Sequence, residues 1–476
     1  SHRNPRHPVG VAPFSATRHC SFLQVGFPTR GMAIRMHSAS RATISLALGA
    51  AAVGIAGLAG QATAQQPTLY PLLQKDVIIS ADIWSPRPQM LAAGLGFVNI
   101  IGVPGADSDD AAEAQSAVQA VGGAWNTGLT CASDAPPPRR ALTAAASPEQ
   151  IYKVNAVSPR YAAGLPVEFS WPVLPSTVDA SDFRVTLNDG TVVTPESASV
   201  NPNFEYNERS TVVLFGHFGN ALPGTDPAAR YVTKVEVVDD ATPMRLVGPR
   251  SRLVSAVGMS ATKATSPYDD QPANPTKWTG PRLTGGTITR MSTRGEGAPP
   301  GLRSTLPNDG RALYGARARF RVRVLTTGGF SPDGITALTP DAYRRHFQVI
   351  AVTRSGRRIP LVTPGRTYRI DGHPLRVVGL ADLGRKQRTY DRCYQEDHDN
   401  QIDIILDGSV QAARRVRWVR VPATGNGYRP FYNPGGPGIA PMPGVRYTAP
   451  GPRHAQRIAN GIDRVLTTTY RPTRAS

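Results

Sequence analysis

Residues 167–174 read VEFSWPVL and residues 318–325 read ARFRVRVL. Both alternate apolar and polar side chains, the period-two pattern of a strand with one face turned inward. The sequence after each runs in parallel. Asp182-Phe183-Arg184-Val185 and His346-Phe347-Gln348-Val349 open a further strand. Asn188-Asp189-Gly190 then leads to Thr194-Pro195, and Ser355-Gly356 leads to Thr363-Pro364. Residues 212–219 match residues 377–384, and strands at 231–238 and 401–406 close the two series. Matches in one order at five places imply an internal duplication, with modules at 151–257 and 314–422.

Within a module the signals are those of short antiparallel strands. Phe183, Val185 and Leu187 alternate with Arg184, Thr186 and Asn188. Asn188-Asp189-Gly190 tolerates positive φ and lets the chain reverse into Val192-Val193. The expected fold is mainly β, two tandem homologous antiparallel β-sandwiches. The strand spacing resembles the immunoglobulin-like and fibronectin-like modules of exported bacterial proteins, without the Cys…Trp…Cys hallmark of true immunoglobulin domains. Such a resemblance implies a sandwich and names no activity.

Composition agrees. The chain has 476 residues, 40% of them hydrophobic, with 46 Gly and 44 Pro, which suits strands and turns more than long helices. From Met36 the sequence reads as a secretory signal: Arg41, a weakly apolar run over 42–59, then Ala62-Thr63-Ala64 before a cleavage at Gln65. Residues 1–64 are therefore expected to be an upstream extension and signal peptide, and the mature chain periplasmic or extracellular, without a membrane span. Residues 65–150 read as an irregular N-terminal region with an apolar stretch at 90–103 and a short helix at 109–121. Residues 258–313 read as a Pro/Gly/Thr-rich linker, and 423–476 as a Gly/Pro/aromatic-rich tail ending in a short helix at 453–466. Export places Cys131 and Cys393 where disulfides persist, and a bridge between them is expected.

Charge is divided unevenly. Residues 65–276 hold 14 basic and 21 acidic side chains, whereas residues 277–476 hold 33 basic and 13 acidic. A basic half on an exported chain suggests anionic partners such as an envelope polymer or another polyanion, bound without nucleic-acid sequence recognition. Arg317, Arg319, Arg321 and Arg323 alternate with Ala318, Phe320, Val322 and Val324. Spacing of two puts the four guanidinium groups on one strand face, a ladder suited to phosphate or carboxylate; the rival reading is an edge strand blunted by charge.

The sharpest acidic cluster follows Glu396. Asp397, Asp399, Asn400 and Asp403 offer the hard oxygens that calcium takes, so calcium is the one cofactor indicated. The spacing departs from the helix–loop–helix calcium loop, lacking its Gly and its closing Glu. His217 and Asp382 occupy matched places in the two series and would form an acid–base pair if the modules faced each other. No Gly-x-Ser-x-Gly, His-Glu-x-x-His, Cys-x-x-Cys or phosphate-cradling Gly-x-x-x-x-Gly-Lys is present. The expected function is a non-catalytic, envelope-associated or extracellular binding protein. The alternative is a secreted hydrolase with its site between the modules.

Overall fold

The computed structural model describes residues 74–93, 97–121, 125, 130–132, 142–159, 162–200, 203, 205–220, 226–262, 282–292, 309–329, 336–396, 399–422, 425–429 and 454–472. The expected signal segment, residues 1–64, lies outside the described residues. In chain order the first strands are β1 (Ile78–Asp82), β2 (Met90–Ala93), β3 (Phe97–Ile101), β4 (Ala162–Phe169), β5 (Phe183–Leu187), β6 (Val192–Val193), β7 (Ser197–Ser199) and β8 (Thr211–Gly216). Next are β9 (Val232–Val237), β10 (Arg245–Val247), β11 (Leu253–Ser255), β12 (Ser260–Thr262), β13 (Leu283–Arg290), β14 (Phe320–Thr326), β15 (Gln348–Val352) and β16 (Arg358–Leu361). The last are β17 (Tyr368–Ile370), β18 (His373–Ala381), β19 (Gln401–Gly408), β20 (Val416–Val421), β21 (His454–Arg457), β22 (Ala459–Asn460) and β23 (Thr467–Tyr470).

These strands make several antiparallel sheets, and the protein is mainly β. In the first half one sheet runs β2-β4-β8-β7, with β3 also on β4, and a second runs β12-β9-β5-β6. One buried cluster draws Leu165, Val167, Phe169 and Leu214 from the first sheet and Phe183, Val185, Val235 and Val237 from the second. That is compatible with a β-sandwich. The second half repeats the plan, with a six-stranded sheet β17-β18-β19-β14-β13-β22 and a four-stranded sheet β16-β15-β20-β21. Its cluster likewise takes Phe320, Val322, Val324 and Ile404 from one sheet and Val349, Ala351, Val416 and Val419 from the other.

Place by place, β2-β4-β8-β7 corresponds to β13-β14-β19-β18, and β12-β9-β5-β6 to β21-β20-β15-β16. The pairing is antiparallel at each of these neighbours in both halves. This correspondence corrects part of the sequence alignment. β8 takes the place of β19, not of residues 377–384, and β9 takes the place of β20, not of residues 401–406. The sequence match slips by one strand because β17 adds an edge hairpin onto β18, whereas among the described residues no strand pairs with the outer edge of β7.

The boundaries also shift. The apolar stretch at 90–103 holds β2 and β3, both paired with β4, so it belongs to the first half's sheet. A helix does form at Ala111–Ala120, with the Asp110 carboxylate accepting from the N–H groups of Ala112 and Glu113. The expected linker supplies β12 to the first half and β13 to the second. The expected terminal helix is instead β21 and β22, laid against β20 and β13. A sheet edge with unpaired backbone groups is a stronger partner than the weak helix propensity of that stretch.

The halves are bonded to one another. β1 pairs with β23, and Ile83 N–H donates to the Leu466 carbonyl at 2.7 Å. The Trp84 ring lies over Gly285, where a Cβ would come within 2.5 Å of it. Among the described residues no helix is long and apolar enough to cross a membrane.

Candidate functional site

β14 is a central strand, held between β13 and β19, and all seven of its residues are buried. The edge reading of the arginine ladder therefore fails, and so does the four-arginine surface. Arg317 and Arg319 are exposed, but Arg321 and Arg323 are 5% and 0% exposed. A buried guanidinium must be paired and hydrogen-bonded. Arg323 donates through Nε to Asp403 Oδ1 at 2.7 Å and through Nη2 to Asp403 Oδ2 at 3.0 Å and Asp382 Oδ2 at 2.7 Å. Its Nη1 lies 3.7 Å from Asp82 Oδ2. Arg321 shares the same acids, 3.5 Å from Asp403 and 3.7 Å from Asp82, and its Nε donates to Thr289 Oγ1 at 3.2 Å. Burial opposes the Arg323 charge, but Asp382, Asp403 and Asp82 outweigh it and hold its pKa above the ordinary value.

Asp382 follows β18 with φ at +63°, a conformation that costs most side chains. Asp309, in the short helix Asp309–Tyr314, holds it there. One of its carboxylate oxygens accepts from the Asp382 N–H and the other from the Leu383 N–H at 3.1 Å. Burial pushes the Asp309 carboxyl up to about 7, with Asp403 adding to the rise. Burial also raises Asp382, against the pull of Arg323.

The first half contributes the loop between β7 and β8. Asn203, Glu205, Asn207, Glu208 and Arg209 are buried there, none more than 2% exposed. Glu205 and Glu208 bring carboxylate oxygens within 4.8 Å of each other and of an Asp382 oxygen. Arg209 donates from Nη1 to the Asn203 carbonyl at 2.8 Å, and burial lowers its pKa to about 10 against the opposing charges of Glu208 and Glu205. A second polar bridge joins the halves nearby: Glu168 accepts from Thr284 Oγ1 at 2.8 Å and from Asn400 Nδ2 at 3.0 Å.

Among the described residues, the members of the expected calcium set have other partners. Asp397 lies outside the described residues. Asp399 accepts from the Gln401 N–H at 2.8 Å, Asn400 donates to Glu168 and to the Thr326 carbonyl, and Asp403 neutralises Arg323. The reason is that Asp403 lies within β19, directly opposite Arg323 in the register. His217 and Asp382 do not form a pair either. His217 is exposed, with Nε2 3.4 Å from Glu196, and Asp382 is buried on Arg323. Cys131 and Cys393 are joined with Cα atoms 5.7 Å apart, and Asp391 accepts from the N–H groups of both Cys393 and Ala132.

A cleft of about 420 Å³ opens beside this centre, lined by Ser80, Thr289, Arg290, Ser292, Arg321 and residues 461–467, which include Arg464. Its lining includes three arginines, Arg290, Arg321 and Arg464, and four hydroxyl residues, Ser80, Thr289, Ser292 and Thr467. Asp463, its acidic member, is bound by Arg414 Nε at 2.7 Å and by Asn460 Nδ2 at 2.8 Å. Sequence reasoning missed Arg290, Arg464, Asp82, Asp309, Glu205 and Glu208. For the two glutamates a signal existed, since Asn203 to Arg209 carries five polar side chains immediately before the apolar strand β8. Comparisons with protein-family models, curated proteins and solved structures find no match to this chain.

Proposed function

We propose that the chain is an exported, non-catalytic binding protein built from two homologous β-sandwich modules of immunoglobulin-like kind, and that its ligand is an anionic polymer held at the arginine-lined cleft. The shared strand order of the two halves supports the duplication. The signal-like segment ending at Ala64 and the cysteine pair support export. The cleft carries the ligand reading. Arg290 and Arg464 are exposed at its rim, and Arg321 is set in its wall with its orientation fixed by Thr289, Asp82 and Asp403. Planar guanidinium groups grip phosphate, sulfate or carboxylate through paired hydrogen bonds, and hydroxyls from Ser80, Ser292 and Thr289 complete such contacts. The surrounding basic half steers a polyanion toward them. Retention on immobilised heparin tests this with an Arg290→Ser/Arg464→Ser double variant. The variant elutes at lower salt than the wild type; co-elution would remove the cleft from the account.

A further inference from the structure

We infer that Glu205, Glu208 and Asp382 bind one calcium ion at the junction of the two halves. Their carboxylate oxygens lie within 4.8 Å of one another, and the residues are 2%, 1% and 3% exposed. Three carboxylates so close in a water-poor interior repel one another strongly, and a retained proton or a bound cation relieves that repulsion. The neighbouring arginines are shared among several acids. Arg323 is divided among Asp403, Asp382 and Asp82, and Arg209 brings one positive charge to two glutamates.

An independent observation points to the same ligand. Glu208 spends Oε2 on the Glu205 N–H at 3.1 Å, while its Oε1 is buried with no hydrogen-bond donor. Asn203, in the same loop and 0% exposed, has no hydrogen-bond partner on either amide atom. Carboxylates joined by an amide oxygen are the donor set that calcium takes, six to eight oxygens at about 2.3–2.6 Å. That radius lets two ligands on opposite sides of one ion stand about 4.6–5.2 Å apart, and the three carboxylate oxygens, all within 4.8 Å of one another, fit around one such ion. Magnesium, at about 2.0–2.1 Å with a strict octahedron, demands a tighter cage, and zinc prefers nitrogen and sulfur. Glutamates from the first half and Asp382 from the second would share the ion, so its binding would lock the halves together.

The test uses the full chain, unfolded in chelator and refolded with calcium chloride, magnesium chloride or neither. After gel filtration the calcium sample retains one equivalent by elemental analysis and melts about 5 °C higher, while magnesium does much less. Glu208→Gln abolishes both effects, and the exposed-helix control Glu149→Gln keeps them. Because a variant at a buried site can fail to fold, terbium provides a second readout on the wild type. Tyr206, next to Glu205, sensitises its emission, and calcium displaces it. A wild type that retains no calcium and gives no sensitised terbium emission, or a folded Glu208→Gln that keeps the full response, would overturn the site.

Discussion

Arg323 is the residue on which the second half turns. Its fork reaches Asp403 and Asp382 from the middle of a fully buried strand, and each partner in turn is fixed by the backbone or by another charge. Removing the arginine strands two carboxylates in the interior. Arg323→Met is expected to cost about 3–5 kcal/mol, whereas Arg319→Ala, two alternations earlier and exposed, stays within about 0.5 kcal/mol. Urea midpoints of the two variants measure the contrast. A titratable residue in the first half gives a pH signature. Burial pushes the Asp182 carboxyl from 3.8 to about 6, aided by Asp240 and Asp179 and opposed by the N–H groups of Asp179 and Met244. The folded state therefore holds this proton more tightly than the unfolded chain. Its contribution to stability is full below the unfolded value and is lost as pH rises through about 6. Urea midpoints followed from pH 4 to 7 should show that decline in the wild type and a shallower one in Asp182→Asn; parallel curves would contradict it. None of this was legible at the residue level in sequence. Alternation placed Arg321 and Arg323 on one face of β14, but the acids that bury them lie 59 and 80 residues away from Arg323.

At the scale of elements, period-two alternation and turn residues located most strands. Gly190, at φ +84°, makes the reversal after β5 that its sequence implies. What alternation could not settle was which strand lies beside which. Residues 212–216 and 377–381 look alike because both are runs of valine, leucine and glycine, yet the sheet puts β19 in the equivalent place. β19 carries Asp403 and Asp407 among its isoleucines, so its sequence reads as polar although its first six residues are buried. The end of the chain was misread for a related reason, since β21 exists only as an addition to the edge of β20. Close approach between elements gives a sharper test. A Cβ on Gly285 would fall 2.5 Å from the Trp84 ring and 3.3 Å from the Leu325 Cβ. Gly285→Ala should lose about 1–3 kcal/mol through overpacking and alter the near-ultraviolet dichroism of the tryptophan. An unchanged spectrum and midpoint would mean that Trp84 does not pack there.

On the scale of the whole molecule, two halves of like strand order carry opposite charge balances. They meet through buried pairs that cross between them: Asp82 with Arg323, Glu168 with Asn400, and the glutamate loop with Asp382. Asp82 of the acidic half thus supplies a counter-charge to Arg323 of the basic half at their junction. The exposed Arg290 and Arg464, in contrast, act outward at the cleft. Attraction between exposed charges fades beyond roughly 8–10 Å at moderate salt, so a polyanion held there is sensitive to ionic strength. The most direct measurement is a calorimetric titration of the full chain with a heparin oligosaccharide at low and moderate salt, beside Arg290→Ser/Arg464→Ser. The account predicts saturable binding that weakens as salt rises and is at least about tenfold weaker in the double variant, a loss of about 1.4 kcal/mol. Equal affinity in the two proteins, or no binding by the wild type at low salt, would contradict it.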